Sequence, residues 1–280
     1  MITPLPPHPA ALVKTKESRT LVVADLHIGW EIALSEKGIH VPTQAFRLLE
    51  KLKTLIKIYK PDTLLILGDV KHTVATAELG EWQDIPEFFN ELKKHISEIQ
   101  IIHGNHDGNL DPLLPEGIKI QPSSGIVIGD AGFFHGHRWP SPALLKCKTL
   151  VMGHAHPVIV LRDPAGFRIT RQVWVKARCD PNQLAEILLQ KHGVKIEGFP
   201  QKTFLKHFGV KPRTVQLFIM PSFNEFLGGK PLNERDAMES EKIVGPILRA
   251  EAVDLRNAEI YLLDGTFLGY LSQLEAFGKP

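Results

Sequence analysis

Short, continuously apolar runs alternate with amphipathic stretches through the first hundred residues. Leu21 to Ala24 (LVVA) and Thr63 to Leu67 (TLLIL) are too short for helices. Both have the aliphatic, largely branched character of strands buried on two faces, and Ile99 to Ile102 begins a third. Pro42 and Thr43 open a stretch to Tyr59 in which Ala45, Leu48, Leu49, Leu52, Leu55 and Ile56 recur at helical spacing, with Lys51, Lys53 and Lys57 mostly outward. Asp84, with Glu87 three residues on, predicts the start of a second helix whose inner face carries Phe88, Phe89, Leu92 and Ile96. Strand, helix, strand, helix, strand implies parallel strands joined by right-handed crossovers.

After Gly117 the pattern shortens. Ile118–Ile120, Ile126–Ile128, Gly132–Phe134, Thr149–Met152, Val158–Leu161 and Phe167–Val175 read as short strands between Gly, Pro and Asp turns, which favours antiparallel pairing in a second sheet. Asn182 to His192 reads as a helix stopped by Gly193, and Val215–Met220 and Glu259–Leu263 as strands. No repeat, low-complexity linker or clean domain boundary interrupts the chain. We therefore expect one domain over 1–280, with a core at 1–178 and a C-terminal extension at 179–280 packing on or completing it.

Composition adds exclusions. The 280 residues are 43% hydrophobic and 23% charged with a net charge of +2, enough for a sizeable core and neither requiring nor forbidding a nucleic-acid partner. No apolar run approaches the roughly 18 residues of a membrane span, and MITPLPPHPA lacks the pattern of a signal peptide. The two cysteines, Cys147 and Cys179, form no CxxC pair, so a thiolate metal site and a disulfide framework are disfavoured. The expected location is cytoplasmic. Oligomeric state is not legible.

The histidines carry the chemistry. Positions 27, 72, 103, 106, 135, 137, 154 and 156 fall within the first 156 residues in short motifs shared with glycine, aspartate or another histidine, whereas 8, 40, 95, 192 and 207 stand outside these motifs. The carboxyl ends of the expected strands read Asp25-Leu26-His27, Gly68-Asp69, Gly104-Asn105-His106-Asp107, His135-Gly136-His137 and Gly153-His154-Ala155-His156. Ligands of α/β sheets sit beyond such ends. Each motif alone is weak and would more often be a hydrogen-bonded turn. Together they give a plausible stoichiometry: two divalent cations bring four positive charges, Asp25, Asp69 and one hydroxide remove three, and about +1 remains to meet a phosphodiester anion.

The ordered set D-x-H, G-D-x-x-H, G-N-H-D, H-G-H and G-H-x-H, over residues 21 to 156, resembles the calcineurin-like metallophosphoesterase superfamily. That resemblance implies an α/β fold in which two facing mixed β-sheets are flanked by helices as a four-layer α/β/β/α sandwich, the metallo-dependent phosphatase architecture. It places Asp25, His27 and His156 on a first metal, Asp69 between two, and Asn105, His135 and His154 on a second. His135 is selected because the family's ligand precedes the glycine; His137 then lies beside the site, and the reverse assignment stays open. Manganese is favoured, with iron, zinc or nickel as alternatives. His106 matches the catalytic histidine that protonates the leaving alkoxide.

His72 and Thr73 stand where the superfamily's protein phosphatases carry an aspartate and a phosphate-gripping arginine. G-D-x-x-H instead resembles the DNA-repair nuclease branch, in which this histidine pairs with the catalytic one. ADLHIGWE, GDVKH and FNEFLGGKP are most similar to SbcD-related, ICC-like phosphoesterases. The expectation is a dinuclear phosphodiesterase, nuclease-like. The alternatives are a phosphomonoesterase acting on a nucleotide or small metabolite, and an idle metal-binding subunit.

Arg138 and Trp139 are candidates for the substrate mouth beside His137, with a packing tryptophan as the equal alternative. His103 is read as shaping its turn. The basic residues Lys202, Lys206, His207, Lys211 and Arg213 read as a solvated face in preference to a nucleic-acid track. Gly228-Gly229-Lys230 lacks P-loop spacing.

Overall fold

The computed structural model describes residues 2–278 apart from 36, 75, 76, 164 and 235–244. Its first half runs β1 (Ile2–Leu5), β2 (His8–Lys14), β3 (Arg19–Val23), α1 (Trp30–Ser35), α2 (Ala45–Tyr59), β4 (Thr63–Ile66), α3 (Leu79–Leu92), β5 (Glu98–Ile102) and β6 (Lys119–Gln121). These six strands form one sheet in sequence order, antiparallel through β1, β2 and β3 and parallel from β3 to β6.

The remainder runs β7 (Ile126–Ile128), β8 (Ala131–Phe134), β9 (Thr149–Met152), β10 (Pro157–Arg162), β11 (Arg168–Cys179), α4 (Pro181–Lys191), α5 (Pro200–Phe208), β12 (Gln216–Ile219), β13 (Lys230–Pro231), β14 (Val253–Leu262), β15 (Phe267–Tyr270) and α6 (Leu271–Gly278). The second sheet is ordered β13-β10-β11-β12-β9-β8-β7, with β14 on β11 and β15 on β14.

Side-chain alternation assembles the layers. Leu21 and Val23 of β3, with Leu64 and Ile66 of β4, join the cluster under α2 and α3. Val22, Ala24, Leu65 and Leu67 point the other way and meet Phe133, Val151, Trp174 and Met220 of the second sheet. A third cluster joins that sheet's outer face to α4, α5 and α6. The result is the four-layer α/β/β/α sandwich with two mixed sheets, as expected. Leu21, Val22 and Val23 are all fully buried because this strand has no solvent side.

Three sequence expectations needed correction, and one hairpin carried no expectation. Ile118–Ile120 does not open the second sheet: β6 pairs parallel to β5 in the first. Short spacing also failed to make all of the second sheet antiparallel, because β8 and β9 run parallel, as do β9 and β12. The helix expected to start at Asp84 starts at Leu79; the Glu81 carboxylate accepts the Glu78 N–H at 3.0 Å, while Asp84, inside the helix, accepts from Thr43 Oγ1 at 2.6 Å. Leu79 is 85% and Trp82 51% exposed, so the first turn lacks the amphipathic signature. The hairpin of β1 and β2 was unread because Pro4, Pro6, Pro7 and Pro9 argue against strands; β1 is an edge, where proline is tolerated.

Candidate metal centre

Five loops converge at one rim of the sandwich, each leaving the carboxyl end of a strand: β3, β4 and β5 from one sheet, β8 and β9 from the other. The crossing between sheets is direct. The His135 Nδ1 donates to the Leu67 carbonyl at 2.6 Å, and the His154 N–H reaches the Asp25 carboxylate at 3.0 and 3.2 Å.

Asp25, His27, Asp69, His154 and His156 all have positive φ, between 41° and 65°. For residues with a Cβ this conformation costs about 1–2 kcal/mol each, though Asp and His tolerate it better than most. Backbone bonds hold the turns: His27 N–H to the Asp69 carbonyl at 2.9 Å, and Ile28 N–H to that of Val70 at 2.8 Å. A strained backbone maintained at five chemically active side chains marks a functional site.

The donor atoms form overlapping groups, each within 4.8 Å. Asp25, His27, Asp69 and His156 make one, Asp69, His135 and His154 a second, and His27, His72 and His106 a third. Asn105 joins the second group, its Oδ1 3.2 Å from His135 Nε2. The chemistry of these atoms fits cations. The buried His27 Nε2 and His156 Nε2 lack hydrogen-bond partners among the described residues, yet lie 3.4 Å from Asp69 Oδ2 and Asp25 Oδ1. Carboxylates and imidazoles facing one another without bonding are arranged as ligands of something between them.

Electrostatics agree. Burial opposes ionisation of Asp69, but the His135 and His27 rings outweigh it and hold its carboxyl far below the usual range. Burial likewise opposes charge on His135, and Asp69 overrides it, pushing the ring up to about 9. A cation at His135 Nε2 would displace that proton. Burial lowers His72, His137 and His154 to about 4 each.

Other candidates take different places. His106 donates from Nδ1 to the carbonyl of His72, while the His72 ring meets His27, Nδ1 to Nδ1, at 3.2 Å. His72 thus contacts His106 through both its carbonyl and its ring, the two rings stacking with centroids 5.7 Å apart, and His27 through its ring. His137 belongs to none of the three donor groups, its ring 5.2 Å from that of His135. Arg138 is exposed. Trp139 packs against the outer core with Lys191 Nζ 5.1 Å from its ring, the packing alternative. His103 bonds Asp111 across its turn at 3.0 Å. The basic cluster is exposed, and Arg213 faces Asp130 near the start of β8, at the rim away from the histidines.

Several supporting residues escaped sequence reasoning. Asp107, fully buried, accepts the N–H groups of Gly104 (2.7 Å), Asp69 (2.8 Å) and Val70 (2.8 Å), tying two ligand loops together. It lay in a recognised motif, but spacing assigned it no role. Leaving a buried donor unpaired costs roughly 1–3 kcal/mol, and Asp107→Ala strands three amides at once, so it should destabilise the metal-free chain by at least about 3 kcal/mol in urea unfolding. Glu81, also fully buried, accepts the N–H groups of His72 (2.9 Å) and Thr73 (2.8 Å).

FNEFLGGKP braces the rim from behind. Asn224 Nδ2 donates to the Leu26 carbonyl at 3.0 Å, and Phe223 N–H to that of Ala24 at 2.7 Å. Gly229 is required by contact: a Cβ there would sit 2.2 Å from the His156 carbonyl oxygen. Asn224→Ala should cost about 1–3 kcal/mol by the same measurement, since it strands a buried carbonyl.

The family model described as calcineurin-like phosphoesterase matches residues 18–211. The chain belongs to that family. Among solved structures, the Pseudomonas putida nuclease MPE is similar over 94% of this chain and 98% of its own, at 19% identity and a TM-score of 0.50. That likeness supports the fold alone. YfcE, a phosphoesterase from E. coli, matches 51% of this chain and 73% of its own at 20% identity and a TM-score of 0.33. No curated protein matches the chain. Family membership makes the chain a metallophosphoesterase-type hydrolase with candidate ligands for divalent metal. No helix among the described residues is long and apolar enough to cross a membrane.

Proposed function

We propose that the chain hydrolyses phosphodiesters, nucleic acid among the candidate substrates, at a dinuclear centre. The observation that carries this reading is the pair of donor groups sharing Asp69, with orphaned His27 and His156 nitrogens facing carboxylates. Asp25, His27 and His156 would hold one ion, Asn105, His135 and His154 the other, and Asp69 both. The His135 assignment over His137 is supported by the Leu67 bond at Nδ1, which aims Nε2 at Asp69 Oδ2, 3.4 Å away. Nitrogen and oxygen donors without thiolate suit manganese, iron or zinc, and the family resemblance favours manganese. When bound, the ions would polarise phosphoryl oxygens and acidify an attacking water.

The chain's own groups do the rest. The His72 carbonyl fixes the His106 ring through Nδ1, leaving Nε2 to deliver a proton to the leaving oxygen. The His72 ring holds His27 at Nδ1, which leaves His27 Nε2 for ligation. We assign substrate contact to His137, whose ring lies 5.2 Å from that of His135, and to the exposed Arg138. No arginine stands at position 73 to grip a terminal phosphate, which supports a diester over a monoester. The two cysteines, free and buried, suit a reducing compartment, and a cytoplasmic location is part of this reading.

The test is to strip metal with EDTA, restore manganese, and compare bis(p-nitrophenyl) phosphate with p-nitrophenyl phosphate. Preferred, metal-dependent diester cleavage is expected. Preferred monoester cleavage would give the site to a phosphatase, and turnover of neither in a metal-loaded chain would indicate a binding subunit.

A further inference from the structure

At the opposite rim the two sheets part around a cavity of about 720 Å³. Strands β8, β9 and β12 begin there, at Ala131, Thr149 and Gln216, and β8 and β9 end at the candidate ligands. Four residues of strand separate the two rims by about 13 Å. Cavities of roughly 300–1,000 Å³ hold small organic ligands.

Its walls depart from the rule for a sandwich interior, where inward positions are apolar. On β11, Trp174 faces the other sheet within the core, and the next residue on the same face is Lys176. Lys176 stands opposite Phe218 of β12 and Glu259 of β14. Glu259 binds Lys176 Nζ at 2.9 Å and the Tyr261 hydroxyl at 2.5 Å. Lys14, at the end of β2, and the exposed Lys148, before β9, complete a basic lining. Among the described lining residues the one carboxylate is Asp130, 3.7 Å from Arg213, and Glu259 behind them offsets the charge of Lys176. One wall is aromatic: Trp174 and Phe218 stack with centroids 5.1 Å apart and planes 15° from parallel, and Tyr261 stands opposite Trp174 in the sheet.

We propose that this cavity binds a small organic anion with a flat aromatic body, the ring lying against the half-buried Phe218 and Tyr261, which Trp174 backs, and the anionic head toward Lys148 and Lys14. Apolar walls account for the body and the excess of positive charge for the head. A carboxylate and a phosphate monoester share this chemistry. The site is separate from the metal centre, and its occupancy does not depend on the hydrolytic reading.

Titration of the full chain with 8-anilinonaphthalene-1-sulfonate, in EDTA to keep the probe off metal, tests this by fluorescence. One saturable site per chain is expected, weakened about tenfold by Lys148→Glu, a change of roughly 1.4 kcal/mol. Ile128→Trp, which fills the mouth, should abolish it. Thermal melting followed by circular dichroism verifies that each variant is folded; should Lys148→Glu fail, Lys148→Ala serves with a smaller loss. 1-Naphthoate or 1-naphthyl phosphate should displace the probe, the better competitor identifying the head, and 1-naphthylmethanol should not. Equal displacement by the alcohol, or unchanged affinity in the folded charge variant, would overturn the proposal.

Discussion

Asp69→Asn is expected to lower kcat/KM for a phosphodiester by about 10³-fold or more, corresponding to about 4 kcal/mol of transition-state stabilisation. Its carboxylate is the one member common to both proposed ion sites, and asparagine removes its charge at nearly constant shape. It also has a structural task, since Oδ1 accepts the His106 N–H at 2.9 Å. The amide oxygen of asparagine can keep that bond, so the fold should survive. Metal content should fall with activity, because two ions would then face each other without a shared anion between them. Elemental analysis of the dialysed variant beside the kinetics checks both halves. Full activity with a full metal complement would remove Asp69 from the centre.

His106→Ala is expected to separate chemistry from metal binding. The ring is half-buried, its centroid 4.7 Å from that of His27, and it is steered by the His72 carbonyl. Loss of a positioned general acid lowers kcat by about 10²–10⁴-fold, with little change in metal content. A substrate whose leaving group needs no proton, such as p-nitrophenolate, should suffer less than one leaving as an alkoxide. That difference marks a proton donor. Equal losses for both leaving groups would instead mean that His106 serves to position substrate or metal. A variant that loses its metals would show His106 to be a ligand.

The elements that place the site were legible because they are buried on two faces. β3 and β4 are buried on both faces and stand out as apolar runs, while β5 alternates Glu98 and Gln100 with isoleucines; the abrupt change to Asp25, Asp69 and Asn105 beyond their ends is visible without a structure. Solvent-edge elements were harder. β1 and β2 carry prolines that an edge hairpin accommodates, and α5 places Lys202, Leu205, Lys206 and His207 on an exposed face, so it was read for charge before structure. Sheet membership of β6 depends on a pairing across about twenty residues, which local spacing does not encode.

The supporting residues were hidden for another reason. Asp107 and Asn224 act on backbone groups of loops distant in sequence, 38 residues in the bond from Asp69 to Asp107 and 198 in that from Asn224 to Leu26, and Glu81 reaches back nine residues to His72 out of a helix whose start was itself misplaced. Such bonds follow from the fold and leave no local pattern. FNEFLGGKP was recognisable as a string, but its work of bracing the turns at Asp25 and His156 appears only when β13 is seen beside β10.

The most direct test of the central claim is an anomalous-difference map from crystals of the full chain grown with manganese. The account predicts two peaks, one against Asp25, His27 and His156 and the other against Asn105, His135 and His154, with Asp69 between them. A single peak, a peak held by His72 and His106, or none at saturating manganese would contradict it.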